Sequence, residues 1–251
     1  MKSRFFLLSI LIVVVFAGCA GNKIKKEEAK QIRKLGEAYM AEDKYLRAYR
    51  EFAKARDLNP KDPHIHYDLG FFFFKKKKYQ RAIEQYQKAL DLKPSFATAR
   101  NNMGIVYMEQ EKWDKAIETL EPITEDYIYA TPHYPHFLIG QAFFHKKEYK
   151  KALTHFKEAL ELKSDYFFAR HWLGKTHLAA GNPEKAVAAL EKAVEELPQA
   201  AIFHYDLGRA YQTTKQYKKA KKSFSQACSL AKDEDLKKKA AQRKQMLEQR
   251  N

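Results

Sequence analysis

The sequence predicts an all-α solenoid of six helix-turn-helix repeats, each about 34 residues long, closed by a C-terminal helix. Glycines fall at positions 36, 70, 104, 140, 174 and 208, spaced 34, 34, 36, 34 and 34 apart, and account for six of the nine in the chain. Alanines at 48, 82, 116, 152, 186 and 220 repeat those intervals. The aromatics Tyr45, Tyr79, Trp113, Tyr149 and Tyr217 do so again, with Pro183 at the remaining place. Three columns that share one two-residue slip define a repeat. Composition agrees: 251 residues, 45% hydrophobic and 31% charged, with 9 Gly and 8 Pro, suit a folded, helix-rich chain.

The first element, residues 1–18, reads as an export signal. Lys2 and Arg4 precede an apolar run from Phe5 to Phe16, which is shorter than the roughly 20 residues that span a bilayer. Phe16-Ala17-Gly18-Cys19 resembles the lipobox of bacterial lipoproteins, with Phe16 where Leu is usual. The resemblance implies cleavage before Cys19, acylation (palmitate) of its thiol and new amino group, and a lipidated linker over 19–28. Several acyl chains on one residue give stable anchoring. Ala20 after the cysteine resembles an outer-membrane address, with the protein facing the periplasm. Cys228 is then the only other cysteine, which excludes an intrachain disulfide and leaves stability to packing. Without Lys2 and Arg4 the chain carries 45 basic against 31 acidic residues, a net of +14. Export turns that charge away from nucleic acid and toward anionic headgroups or an acidic partner surface.

The repeats occupy 29–62, 63–96, 97–132, 133–166, 167–200 and 201–232. Gly and Ala stand where two helix backbones approach closely, aromatics fill the space beside them, and Pro stops the second helix. Leu35, Gly36, Tyr39, Ala48, Phe52, Ala55 and Pro60 in repeat one, and Leu69, Gly70, Phe73, Ala82, Tyr86, Ala89 and Pro94 in repeat two, resemble the tetratricopeptide repeat (TPR). That resemblance implies paired antiparallel helices stacked into a right-handed superhelix. Repeat three departs from it. Pro122 lies inside its second helix and predicts a kink or an early end, so the array bends or divides there, into repeats one to three and four to six. Residues 233–251 read as a capping helix with Leu236, Ala240 and Leu247 on its apolar face, the alternative being a basic interaction tail.

No phosphate-binding loop, zinc-protease helix, serine-hydrolase elbow or paired-cysteine spacing occurs. His64-x-His66 and His133-x-x-His136 lack a further ligand at a fixed local spacing, so no metal and no cofactor is expected. The carboxylates are spread over helix faces as Glu/Lys pairs, and the chain is expected to be no enzyme.

Binding remains. In such a stack the first helix of each repeat lines the concave surface with positions 2, 5, 9 and 12. These are His64, Tyr67, Phe71 and Phe74; Asn101, Ile105 and Met108; Tyr134, Phe137, Gln141 and Phe144; Phe168, His171 and Lys175; then Tyr205 and Arg209. Aromatics and aliphatics where polar residues are usual mark a protein or peptide site. A two-carboxylate clamp is disfavoured, because repeat one has Arg33 and Glu37 where Lys and Asn are wanted. The run FFFFKKKK splits on this lattice: Phe72 and Phe73 belong to the core, Phe71 and Phe74 to the groove, and Lys75 to Lys78 to a helix end and turn.

A lipobox followed by six repeats, with NNMG ending at Gly104 and D-x-x-Y-x-x-P at Asp126, Tyr129 and Pro132, resembles the type IV pilus pilotin lipoproteins. Met103 and Ile105-Val106 stand where that family more often shows aromatic and small residues. The resemblance implies a non-catalytic outer-membrane lipoprotein that binds secretin subunits and promotes their localisation and multimerisation. The alternative is another envelope scaffold, for outer-membrane assembly or a cell-wall enzyme complex.

Overall fold

A computed structural model describes residues 23–125 and 130–249. The lipobox, Cys19, Asp126 and Tyr129 lie outside the described residues. Thirteen α-helices and one 3-10 turn occur among the described residues, with no strand. Helix α1 covers 23–41, so 23–28, assigned above to the linker, are its first turns. Then come α2 (Tyr45–Leu58), α3 (Pro63–Lys75), α4 (Tyr79–Leu92), α5 (Ala97–Glu109), α6 (Trp113–Leu120), α7 (His133–His145), α8 (Tyr149–Leu162), α9 (Phe167–Ala179), α10 (Pro183–Glu196), α11 (Ala201–Thr213), α12 (Tyr217–Leu230) and α13 (Glu234–Glu248). The first helices of repeats two to six begin at 63, 97, 133, 167 and 201, the starts that the period predicts.

The repeated small residues are buried for the predicted reason. Ala48, Ala82, Ala116, Ala152, Ala186 and Ala220 are fully buried. A Cβ on Gly36, Gly70, Gly140 or Gly208 would lie 2.6–2.7 Å from the ring of Phe52, Tyr86, Phe156 or Phe224, sixteen residues on. The large side chain of the second helix thus rests on the bare backbone of the first. Successive cores are organised by Phe52 with Ile65 and Leu69, by Tyr86 with Met103 and Val106, and by Phe224 with Leu190, Leu207 and Leu247. Leu247 and Ala240 carry the buried face of α13, which closes the last core.

The turn inside each repeat needs one left-handed residue. Asp43, Lys77, Glu111, Lys147 and Lys215 have φ of 55–62°, and Gly181 takes the place at 78° in repeat five. Five side chains therefore accept a conformation that costs an L-residue roughly 1–2 kcal/mol. Helix-ending hydrogen bonds hold it, such as Lys78 N–H to Phe73 O and Lys77 N–H to Phe74 O, each 2.8 Å. The lysine run is now placed: Lys75 ends α3, Lys76 caps it, Lys77 makes the turn and Lys78 precedes α4.

Repeat three ends early, as Pro122 predicts. Helix α6 has eight residues, against fourteen in its counterparts, and passes at Leu120 into the 3-10 turn Glu121–Ile123. The chain forms two compact units, but the boundary is Gln110/Glu111, inside repeat three, and not after it as expected. The shortened α6 belongs with the C-terminal unit.

Candidate functional site

In the N-terminal unit a cavity of about 450 Å³ opens between α1, α2 and α3. Met40, Ala41, Phe52, Tyr67 and Phe71 form its apolar wall, and Glu37, Asp43, Asp68 and Lys75 its polar edge. Phe71 and Tyr67 were both assigned to the groove, and the structure brings them together here. Arg33 donates to Glu37 at 2.7 Å and to Asp68 at 2.9 Å. Burial nevertheless pushes the Asp68 carboxyl up to about 7, against the pull of Arg33. Its unfolded value is near 3.8, so folding takes up a proton between the two values. The stability this gives is fully present below about pH 4 and is lost as pH rises through about 7. Asp68→Asn is expected to flatten the pH dependence of urea unfolding in that window by at most about 1.4 kcal/mol per pH unit. An unaltered slope between pH 4 and 8 would contradict it.

The other three phenylalanines of the run are partly buried and have ring partners. Phe72 stacks on Tyr49 at 5.1 Å, and Phe73 meets Tyr49 edge-on at 6.0 Å. Phe74, assigned to the groove, instead packs on the core around Tyr86, with its ring 6.2 Å from Tyr79. His64 tilts onto Phe96 at 4.8 Å. Ile105 and Met108 on α5 are half-buried.

Position 5 is the main correction. Asn101, Phe137 and His171 are buried, 4–7% exposed, and do not face an open groove. Phe137 is covered by the rings of Phe156 and Tyr166, 6.1 and 5.2 Å away, and His171 is covered at a joint between first helices, which recurs along the chain and in which position 5 of one repeat reaches position 6 of the next. Arg33 bonds Asp68, Asn102 Nδ2 donates to Tyr67 Oη at 3.1 Å, and His171 Nε2 meets Asp206 Oδ2 at 2.9 Å, each pair 35 residues apart. A polar pair one residue longer than the repeat was the sequence signal for these joints. Burial pushes Asp206 up, but His171, Arg209 and Lys175 outweigh it and hold the carboxyl below its usual range. His171 also stacks on Phe203, centroids 4.2 Å apart.

In the C-terminal unit the remaining predicted residues form aromatic contacts. Tyr134 stacks on Phe137 at 6.1 Å. Phe144 meets Trp172 edge-on at 5.2 Å, and Lys175 Nζ lies 4.0 Å from the Trp172 ring and 5.1 Å from Phe144. Burial pushes the Lys175 ammonium down from its usual value. Gln141 is half-buried and Phe168 is 44% exposed.

One cluster was not found in the sequence. His136 of α7 and His155 of α8 bring their Nδ1 atoms to 3.3 Å, and Glu158 Oε2 lies 2.9 Å from the first and 3.1 Å from the second. Its signal was hidden because the partner of His136 is 19 residues away, across the hairpin.

Tetratricopeptide repeat profiles match residues 72–111, 95–165, 143–201 and 177–242. Among solved structures, the chain is similar to Pseudomonas aeruginosa PilF, with TM-score 0.74 and 19% identity over 86% of this chain and 97% of that one. It is similar to PilW, a widely conserved type IV pilus biogenesis factor, with TM-score 0.73 and 18% identity over 80% and 92%. With MamA the TM-score is 0.60 and the identity 26%, over 67% and 91%. The chain spans 15% and 8% of the lengths of the two curated relatives it matches. No helix among the described residues is long and apolar enough to cross a membrane.

Proposed function

The chain belongs to the tetratricopeptide repeat family, and from that premise we propose that it is a non-catalytic scaffold that docks an apolar segment of a secretin subunit. The observation that carries the docking reading is the cavity beside Phe71, where an aromatic wall lies open on first-helix positions. An apolar side chain of a bound peptide would fill it, and Asp68, Glu37 and Lys75 would fix polar groups at its edge.

The pilus assignment draws on the lipobox at Cys19 and on the NNMG and D-x-x-Y-x-x-P positions. The likeness in fold to PilW, a type IV pilus biogenesis factor, supports it. On this reading Cys19 carries acyl chains that anchor the protein in the outer membrane, facing the periplasm, and the repeats hold secretin subunits as they multimerise. Deleting the gene is expected to abolish secretin multimers on denaturing gels while monomers persist; undiminished multimers would remove the secretin from the proposal. Cys19→Ala is expected to move the protein out of the outer-membrane fraction without altering its melting midpoint, and an unchanged distribution would count against the anchor. The second reading is a scaffold for another envelope assembly, since a repeat fold by itself does not name the partner it docks. The docking cavity serves both readings, and the secretin experiment separates them.

A further inference from the structure

We propose that His136, His155 and Glu158 form a binding site for a divalent metal ion of the zinc class. Three atoms with lone pairs converge there: His136 Nδ1, His155 Nδ1 and Glu158 Oε2, separated by 3.3, 2.9 and 3.1 Å. Ligands on a tetrahedral ion at 2.0–2.1 Å stand about 3.3 Å from one another, so the trio needs to open by only a few tenths of an ångström. Three corners of a square plane would include one pair about 4 Å apart, which this arrangement lacks. Two imidazoles and one carboxylate are donors that zinc takes readily, and the fourth place is left to water.

The cluster is poorly satisfied without a cation. Glu158 Oε2 is buried and has no hydrogen-bonded partner, because neither ring directs an N–H well at it despite the short separations. A buried carboxylate oxygen in that state carries a desolvation cost that a cation would remove. The rings are held in place: His155 stacks on Phe143 at 5.5 Å and 18°. The His136 and His155 side chains are 14% and 21% exposed, so the site is enclosed yet reachable.

Comparison with the other repeats shows that the scaffold does not require this trio. At the same places repeat two has His66 and Gln85 in a 2.9 Å hydrogen bond, with Lys88 at the position of Glu158. Repeat six has His204, Ser223 and Gln226. Only repeat four places a second imidazole and a carboxylate around the histidine. The bound ion would tie α7 to α8 at two points on α8, fixing the hairpin that follows the irregular joint.

The test is a calorimetric Zn²⁺ titration of the chelator-treated full chain in detergent, with Co²⁺ as a spectroscopic probe. One Zn²⁺ per chain and the visible absorption of tetrahedral Co²⁺ are expected. Glu158→Gln, which keeps the shape, and His155→Ala are each expected to weaken binding roughly tenfold or more; His64→Gln, outside the trio, is expected to leave it unchanged. Failure to bind one equivalent would overturn the proposal. So would binding that persists in Glu158→Gln and His155→Ala, which would assign the ion to scattered surface histidines. Neither outcome bears on the secretin, whose docking rests on the other compact unit.

Discussion

Gly174→Ile is expected to lower the melting midpoint by several degrees while leaving the helix content at low temperature unchanged. A Cβ at this position would lie 2.6 Å from Leu190 Cγ, 3.1 Å from its Cδ2 and 3.3 Å from the backbone oxygen of Ala186. Leu190 is fully buried and so has little room to swing away, and the Ala186 carbonyl belongs to α10 itself. The two helices must then separate, at a cost of about 1–3 kcal/mol for an overpacked core. For a chain of this size each kcal/mol is worth about 2–4 °C. A coupled variant tests the cause: Gly174→Ile with Leu190→Ala is expected to be less destabilised than the two single changes summed, since the cavity of one receives the bulk of the other. Additive effects, or an unshifted midpoint for Gly174→Ile, would show that this glycine is not where α9 and α10 meet.

The same contact explains why so much of the fold was legible. Each glycine is read from the sequence at one register, and the large residue that lies on it recurs sixteen places later: Phe52, Tyr86, Phe156, Leu190 and Phe224. Both ends of this contact belong to one hairpin, so the period alone fixes it. Pro122 was legible for a related reason, because a missing N–H acts within its own helix.

What sequence reasoning misplaced depends on how one helix lies against another. A helical wheel puts position 5 of each first helix on the concave side. Whether it stays open depends on the rotation from repeat to repeat, and here that rotation carries His171 onto Asp206 and Tyr67 onto Asn102. Phe74 was misplaced similarly, since position 12 lies near the end of α3, where the ring can fold back on Tyr79 at the start of α4. The His136–His155–Glu158 cluster depends on the pairing of α7 with α8, and a search for ligands at short local spacing passes over it.

These distinctions decide which substitution tests the docking cavity. A double substitution of Phe71 and Phe74 would confound binding with folding, because Phe74 supports the core around Tyr86. Phe71 lines the cavity directly and is half-buried, so Phe71→Ala is the cleaner probe. Loss of an aromatic at the centre of a docking site is worth about 2 kcal/mol or more, roughly a thirtyfold loss of affinity for the partner segment. Phe71→Glu is expected to do more, since it sets a fourth acid beside Glu37, Asp43 and Asp68 in a recess with an apolar wall. Both variants are expected to keep the native helix content, and titration against the purified partner gives the affinities. If Phe71→Glu binds the proposed secretin segment as tightly as the unaltered protein, the partner does not enter between α1 and α3, and the aromatics of the C-terminal unit, exposed Phe168 and half-buried Phe144 and Trp172, become the next surface to change.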